Sequence, residues 1–198
     1  MSLRIRYYTP SDEDNWIKCY LSSYIESTYY DELVKVKPRY ENQAVELIGL
    51  ERNEIVGILD IEIEEEPGQL CFDENNRSGI ISIIGVIPEY RRRGVGTKLI
   101  KKSLKIIQDS YDINRLEIWV RDDPSTLNWL HNLGFKKVQQ FYDVLLGSDF
   151  FDKFGIDLPF GITPSFLNGI VDSEGFYELK RQHPPERTYR ISILELCI

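Results

Sequence analysis

The stretch from Ile80 to Ile107 leaves this chain few folds to choose from. An apolar run, Ile80-Ile81-Ser82-Ile83-Ile84-Gly85-Val86, has the length of one strand. With a single polar residue, it reads as buried on both faces. Pro88 ends it, because proline cannot donate to a ladder. Arg91, Arg92 and Arg93 follow, and Gly94-Val95-Gly96-Thr97 opens a helical pattern. In that pattern Val95, Leu99, Ile100, Leu104 and Ile107 share one side, while Lys98, Lys101, Lys102 and Lys105 lie more to the other. A strand, a glycine turn and a helix start together make an anion site. The first amides of a helix have no partner within it, and its dipole is positive there. Glycines let the backbone approach an anion, and arginines add permanent forked charge.

The elements around this stretch read in order. Leu3 to Tyr8 is a short strand, and Thr9-Pro10-Ser11-Asp12 starts a helix carrying Trp16, Tyr20 and Tyr24. A second, shorter helix is expected over Tyr29 to Val36. A hairpin follows, with strands at Val45–Leu50 and Glu54–Glu64 and a turn between them. The acids Asp60, Glu62 and Glu64 alternate with apolar residues, so this strand should have one wet face. Glu65 to Ser78 is a polar loop whose Asp73 and Glu74 read as solvated charges. Leu116 to Val120 is a strand, Thr126 to Leu133 a helix closed by Gly134, and Phe135 to Tyr142 another strand. Residues 147–188 mix glycine, proline and phenylalanine and read as a packed excursion, with one short helix near 148–154. Arg190 to Ile198 is the last strand. The order implies a mixed α/β domain around one sheet, with residues 1–146 as the core and 147–198 as an excursion plus the final strand of the same domain.

Composition removes several classes. Among 198 residues, 32 acids against 24 bases give a net charge of −8, which opposes a general nucleic-acid binder. An acidic exterior suits either a cationic acceptor such as an amine or plain solubility. Cys19, Cys71 and Cys197 are far apart and odd in number, so neither a disulfide framework nor a metal cluster with His131 and His183 is expected. Each cysteine reads as a small buried hydrophobe. No window approaches a membrane span, and a cytoplasmic setting is the expectation. Rival phosphate motifs fail. Thr97 precedes Lys98 where a P-loop needs Lys before Ser or Thr, and Leu99 stands where a dinucleotide fingerprint needs a third glycine.

Val86-x-Pro88-x-Tyr90-Arg91-x-x-Gly94-x-Gly96 resembles the acyl-CoA-binding signature of the GNAT family of N-acetyltransferases, Arg/Gln-x-x-Gly-x-Gly/Ala. Downstream, Trp129-Leu130-His131-Asn132-Leu133-Gly134-Phe135 resembles that family's second hallmark, a helix ending in aromatic-Tyr-x-x-x-Gly-Phe. The resemblance covers about residues 2–142. It implies a GNAT-type acyl-CoA N-acyltransferase fold, a central mixed sheet flanked by helices in which a parallel pair, 79–86 and 115–120, splays into a V. It further implies acetyl-CoA as co-substrate, with no metal. The pantetheine arm would pair with the backbone of Ile84, Gly85 and Val86, and Gly85 is the expected bulge. The pyrophosphate would take amides from Arg92, Arg93, Gly94, Val95, Gly96 and Thr97, with Arg91 orienting the loop.

The implied reaction is direct attack of a primary amine, from a small molecule or a peptide, on the thioester. Two departures bear on it. The family's thiolate-protonating tyrosine falls at Leu130, and the strand position where some members carry a catalytic glutamate is Ile80. Glu62, acting through water, is the substitute base, with Glu64 beside it, and Tyr142 is the substitute acid. For each, a structural role is the competing account. The alternatives are a non-catalytic CoA-binding module and a modifier of a protein partner. The phenylalanines of the excursion would form a lid, a homodimer surface or a satellite core.

Overall fold

The computed structural model describes residues 3–31, 33–147, 166–171 and 187–198. Strands are β1 (Arg4–Tyr7), β2 (Ala44–Glu51), β3 (Glu54–Ile63), β4 (Gly79–Val86), β5 (Arg115–Arg121), β6 (Lys136–Gly147), β7 (Phe166–Val171) and β8 (Arg187–Cys197). Helices are α1 (Glu13–Tyr24), α2 (Val95–Ser110) and α3 (Pro124–Asn132), with single 3-10 turns at Pro10–Asp12 and Pro88–Tyr90. The chain forms two compact units. One comprises Met1–Ile118, Asn128–Lys136 and Glu195–Ile198, and the other comprises Trp119–Leu127 and Lys137–Leu194.

In the first unit the strands stand in the order β1-β2-β3-β4-β5. All pairs are antiparallel except β4 with β5, which is parallel. The β2–β3 hairpin turns on Arg52 and Asn53, both left-handed at φ 52° and 70°. A two-residue turn with both φ positive matches the twist of the flanking strands. On one side of this sheet Trp16, Cys19 and Tyr20 of α1 pack with Ile48, Leu50, Ile55, Ile58 and Ile83. On the other, α2 comes in close. A Cβ on Gly57 would lie 2.7 Å from Val95 and 3.1 Å from Leu99, so the glycine sets the helix-to-sheet distance. In the second unit β8, β6 and β7 are neighbours in that order, and Tyr142 on β6 pairs with Val171. No helix among the described residues is long and apolar enough to cross a membrane.

Several sequence expectations are corrected. Residues 29–36 form turns and bends rather than a helix among the described residues. The reason lies at Lys37, whose ammonium is drawn into the sheet by Asp60 and Glu46, holding the chain open on either side. The acidic face of β3 is not wet. Asp60 and Glu64 are fully buried, covered by residues 37–42 and by the 65–78 loop. Asp73 is paired with Arg115 rather than solvated. In β4 only Gly79, Ile81, Ile83 and Gly85 are buried, and the intervening residues are half-buried or, at Ser82, exposed. Cys197 is exposed, whereas Cys19 and Cys71 are buried. The helix expected near 148–154, and any lid or dimer surface in the excursion, lie outside the described residues.

Candidate functional site

The site is built on the way β4 leaves its parallel neighbour. The β4–β5 ladder has two rungs, Gly79↔Leu116 and Ile80↔Glu117. On its other edge β4 pairs with β3 along its whole length, with one irregularity. Asp60 faces Ile83 and Ile61 faces Ile81, which leaves Ser82 as the extra residue. The bulge is therefore at Ser82 and not at Gly85. A bulged residue sharpens local twist, which turns the rest of the strand away from a partner.

Gly85 is needed for another reason. A Cβ there would meet Ser23 Cβ at 3.0 Å, Ser23 Oγ at 3.1 Å and Tyr24 Cε2 at 3.2 Å. The last turn of α1 thus lies directly on the strand. In an antiparallel ladder, alternate residues turn both backbone groups to the same neighbour. Ile84 turns its pair to the edge away from β3, and there both meet the Tyr24 hydroxyl. It donates to Ile84 O at 3.0 Å and accepts from Ile84 N at 3.2 Å. Burial pushes the Tyr24 phenol well above its usual range, so it stays neutral.

Arg91 closes the end of the strand. Its Nε donates to Val86 O at 3.1 Å and its terminal NH2 group to Ser23 O at 2.9 Å. The Ser23 carbonyl belongs to the negative end of α1, where a cation is favoured. The expected loop-orienting part of Arg91 is thus a clamp between β4 and α1. Arg92 and Arg93 are exposed. Arg92 is left-handed at φ 58°, and the guanidinium of Arg93 lies 5.0 Å from the centre of the Tyr90 ring.

Gly94 caps α2 with φ 79° and ψ 11°, a conformation in which a Cβ is strained. The first bond of the helix runs from Lys98 N to Gly94 O, and Arg91 N is held by Pro88 O. Between them, the amides of residues 92 to 97 have no backbone acceptor among the described residues. Gly96 is pressed by α3, since its Cβ would lie 3.1 Å from Trp129 Cζ2. The same indole donates from Nε1 to Thr97 Oγ at 3.0 Å. The second hallmark of the sequence thereby buttresses the first. Leu130, one residue on, is fully buried.

The remaining candidates stand on other elements. Glu62 is half-buried, and its Oε1 accepts from Asn42 N at 3.2 Å and Asn42 Nδ2 at 3.0 Å. Glu64 lies past the end of β3 and is a structural group. Its carboxylate accepts from the amides of Leu70, Cys71 and Ser78, and Glu117 holds the next amide, Phe72 N. Tyr142 sits in the second unit, where Gln140 donates to its hydroxyl. His131 is exposed and its Nδ1 lies 3.0 Å from Phe135 O.

Burial pushes the Cys19 thiol up to about 12 and raises that of Cys71, with Glu117 and Glu64 adding to the latter. Neither is a thiolate at neutral pH. Sequence reasoning missed Tyr24 and the Lys37 cluster. Asp60, though fully buried, holds Lys37 Nζ at 2.7 Å and the Tyr40 hydroxyl at 3.0 Å. The same ammonium lies 4.9, 4.8 and 5.2 Å from the ring centres of Tyr8, Trp16 and Tyr40.

A strand edge that opens beyond its second rung and ends at a helix start with unpartnered amides is the arrangement of an anion-binding α/β domain. The profile of the acetyltransferase (GNAT) family matches residues 11–135, well over half of the chain, and the chain belongs to that family. The N-alpha-acetyltransferase of Sulfurisphaera tokodaii is 35% identical over 65 residues, 32% of this chain and 38% of its own length, so the chain spans under two fifths of that curated relative. Two solved structures share the fold. The acetyltransferase of the GNAT family from Streptococcus pneumoniae superposes with a TM-score of 0.62 at 13% identity over the whole of both chains. The PaiA N-acetyltransferase from Thermoplasma acidophilum, in complex with coenzyme A, superposes with a TM-score of 0.56 at 16% identity, over 70% of this chain and 92% of its own. At these identities the likeness is one of fold.

Proposed function

We propose that this protein transfers an acetyl group from acetyl-CoA to a primary amine by direct attack. The observation that carries the proposal is the continuity of the β4 edge that β5 leaves after two rungs with the open amides of residues 92 to 97. A pantetheine arm is a chain of two amides and suits a strand edge. A pyrophosphate suits a helix start. The arm lies along Ile84, Gly85 and Val86, and the pyrophosphate on the amides of Arg92, Arg93, Gly94, Val95, Gly96 and Thr97. Arg92 and Arg93 add exposed positive charge, and Arg91 holds the loop in place.

The amine attacks the thioester carbonyl as the neutral base. An outward amide of β4 polarises the carbonyl oxygen as charge develops there. Glu62 takes the ammonium proton through water at Oε2, the oxygen not engaged by Asn42. The thiolate leaves and takes its proton from solvent. No covalent enzyme intermediate is formed, in keeping with two buried thiols. The acceptor is a small-molecule amine or a peptide amine. Similarity to an N-alpha-acetyltransferase favours a peptide N-terminus as one acceptor to try. Free cysteines suit a reducing, cytoplasmic setting.

The test is thiol release from acetyl-CoA over a panel of small amines and N-terminal peptides. Amine-dependent release is expected. Tight CoA binding with no release over the whole panel would favour a non-catalytic CoA module, and no CoA binding would refute the proposal. Sedimentation velocity tests self-association as a homodimer.

A further inference from the structure

The Tyr24 hydroxyl stands where the acyl donor's arm is to bind. A single oxygen donates to Ile84 O and accepts from Ile84 N. An amide laid along the same edge offers one N–H and one C=O to those two groups. A phenol that serves both of them therefore mimics an amide rather than merely filling space. Among the described residues that hydroxyl has no other hydrogen-bond partner. The ring is already held by packing. It stacks on Tyr20 at 4.7 Å between centroids, Tyr20 stacks on Trp16 at 5.3 Å, and Tyr29 meets Tyr24 edge-on at 5.9 Å.

Tyr24 is also the last residue of α1, and a turn follows, in which Ser27 N and Ser27 Oγ bond to Tyr24 O. A side chain at a helix end can swing without unwinding the helix behind it. The Arg91 clamp on Ser23 O keeps that end of α1 at the strand whether or not the hydroxyl is engaged.

We propose that Tyr24 is a stand-in for the pantetheine arm, which the arm displaces from the Ile84 backbone on binding, so that Tyr24 sets the affinity for the acyl donor. This rests on the CoA-binding reading given above. Displacement exchanges two hydrogen bonds to the phenol for two to the ligand. Removing the phenol oxygen removes the competitor while keeping the ring.

The experiment is titration calorimetry of wild type and Tyr24→Phe with two ligands, CoA and adenosine 3′-phosphate 5′-diphosphate, which is CoA without the arm. For Tyr24→Phe, the Kd for CoA should fall about fivefold, the worth of roughly one net hydrogen bond, while the Kd for the armless nucleotide stays unchanged. Tyr24→Leu should likewise lower the Kd for CoA and leave that for the armless nucleotide unchanged, which guards against an effect peculiar to phenylalanine. An unchanged or weaker CoA affinity in Tyr24→Phe overturns the displacement, as does an equal shift for both ligands. If wild type binds the armless nucleotide and CoA but Tyr24→Phe does not tighten CoA, only this inference fails. If wild type binds neither, the functional reading fails and takes this inference with it.

Discussion

Replacing Lys37 by methionine removes a buried ammonium and leaves its carboxylates behind. Lys37 is 4% exposed, Asp60 is fully buried, and Glu46 keeps 32% of its side chain in solvent, so Asp60 carries most of the consequence. Breaking a buried pair by removing one partner costs about 3–5 kcal/mol. Methionine keeps the aliphatic stem and a favourable contact with the Tyr8, Trp16 and Tyr40 rings, so the loss is electrostatic rather than steric. We expect about 4 kcal/mol at pH 7.5. With an m-value of about 2 kcal/mol/M, that is a fall of roughly 2 M in the urea midpoint.

The pH dependence is the sharper test. In the wild type, burial raises the Asp60 carboxyl to about 6 against the opposing pull of Lys37 and Tyr40. A carboxyl raised in the fold stabilises it while protonated. That contribution is complete below about pH 4 and is lost as the pH rises through about 6. Without Lys37 the strongest opposing group is gone, and Asp60 should titrate higher still. At pH 5.5 the mutant's Asp60 is then neutral, and its deficit against wild type should shrink to about 2 kcal/mol. Asp12 works in the opposite sense, because Arg6 holds its carboxyl well below the usual range and its contribution is lost on acidification. That contribution is common to both proteins and cancels. An equal deficit at pH 5.5 and 7.5, or one under about 1 kcal/mol, would refute this account. Lys37→Met with Asp60→Asn should recover much of the loss, since no buried charge is then unpaired.

Other outcomes follow from the glycine loop and its buttress. Gly96→Ala sets a methyl 3.1 Å from Trp129, which should lower stability by about 1–3 kcal/mol and weaken CoA binding, read by thermal melts and calorimetry. Gly94→Trp meets open space, so little steric damage to the fold is expected, but its left-handed φ and its bulk over the open amides should weaken CoA more than about tenfold. An unchanged Kd would sink the phosphate assignment. Leu130→Tyr puts a phenol into a fully buried site and should cost about 1–3 kcal/mol in a urea titration. A gain in thiol-release rate there would show that residue 130 can still reach the sulfur.

The segment from Gly79 to Ser110 was legible because each of its signals is local. An apolar run, a proline, a glycine with positive φ and a two-sided helix follow one another without long-range help. The hairpin was legible for the same reason. What escaped depends on partners far along the chain. The lysine at 37 reads as an ordinary surface cation until Asp60 is found beside it. The acids 60 and 64 alternate as a wet face would, and only the segments that fold over them show otherwise. Tyr24 belongs to a regular aromatic stripe with Trp16 and Tyr20. Spacing of that kind predicts a core, and nothing in it signals that the hydroxyl of the third ring reaches a backbone 60 residues away.

The loop between β3 and β4 is gripped by its main chain. Glu64 takes the amides of Leu70, Cys71 and Ser78, and Glu117 takes that of Phe72. A carboxylate that binds an amide does not sense which side chain the amide carries. The grip itself is therefore indifferent to the side chains at 70 to 72, provided none becomes proline, which would remove a donor, although Cys71 is also confined by its burial. The positions intolerant of change are instead the two glutamates, one at the start of the loop and the other on β5.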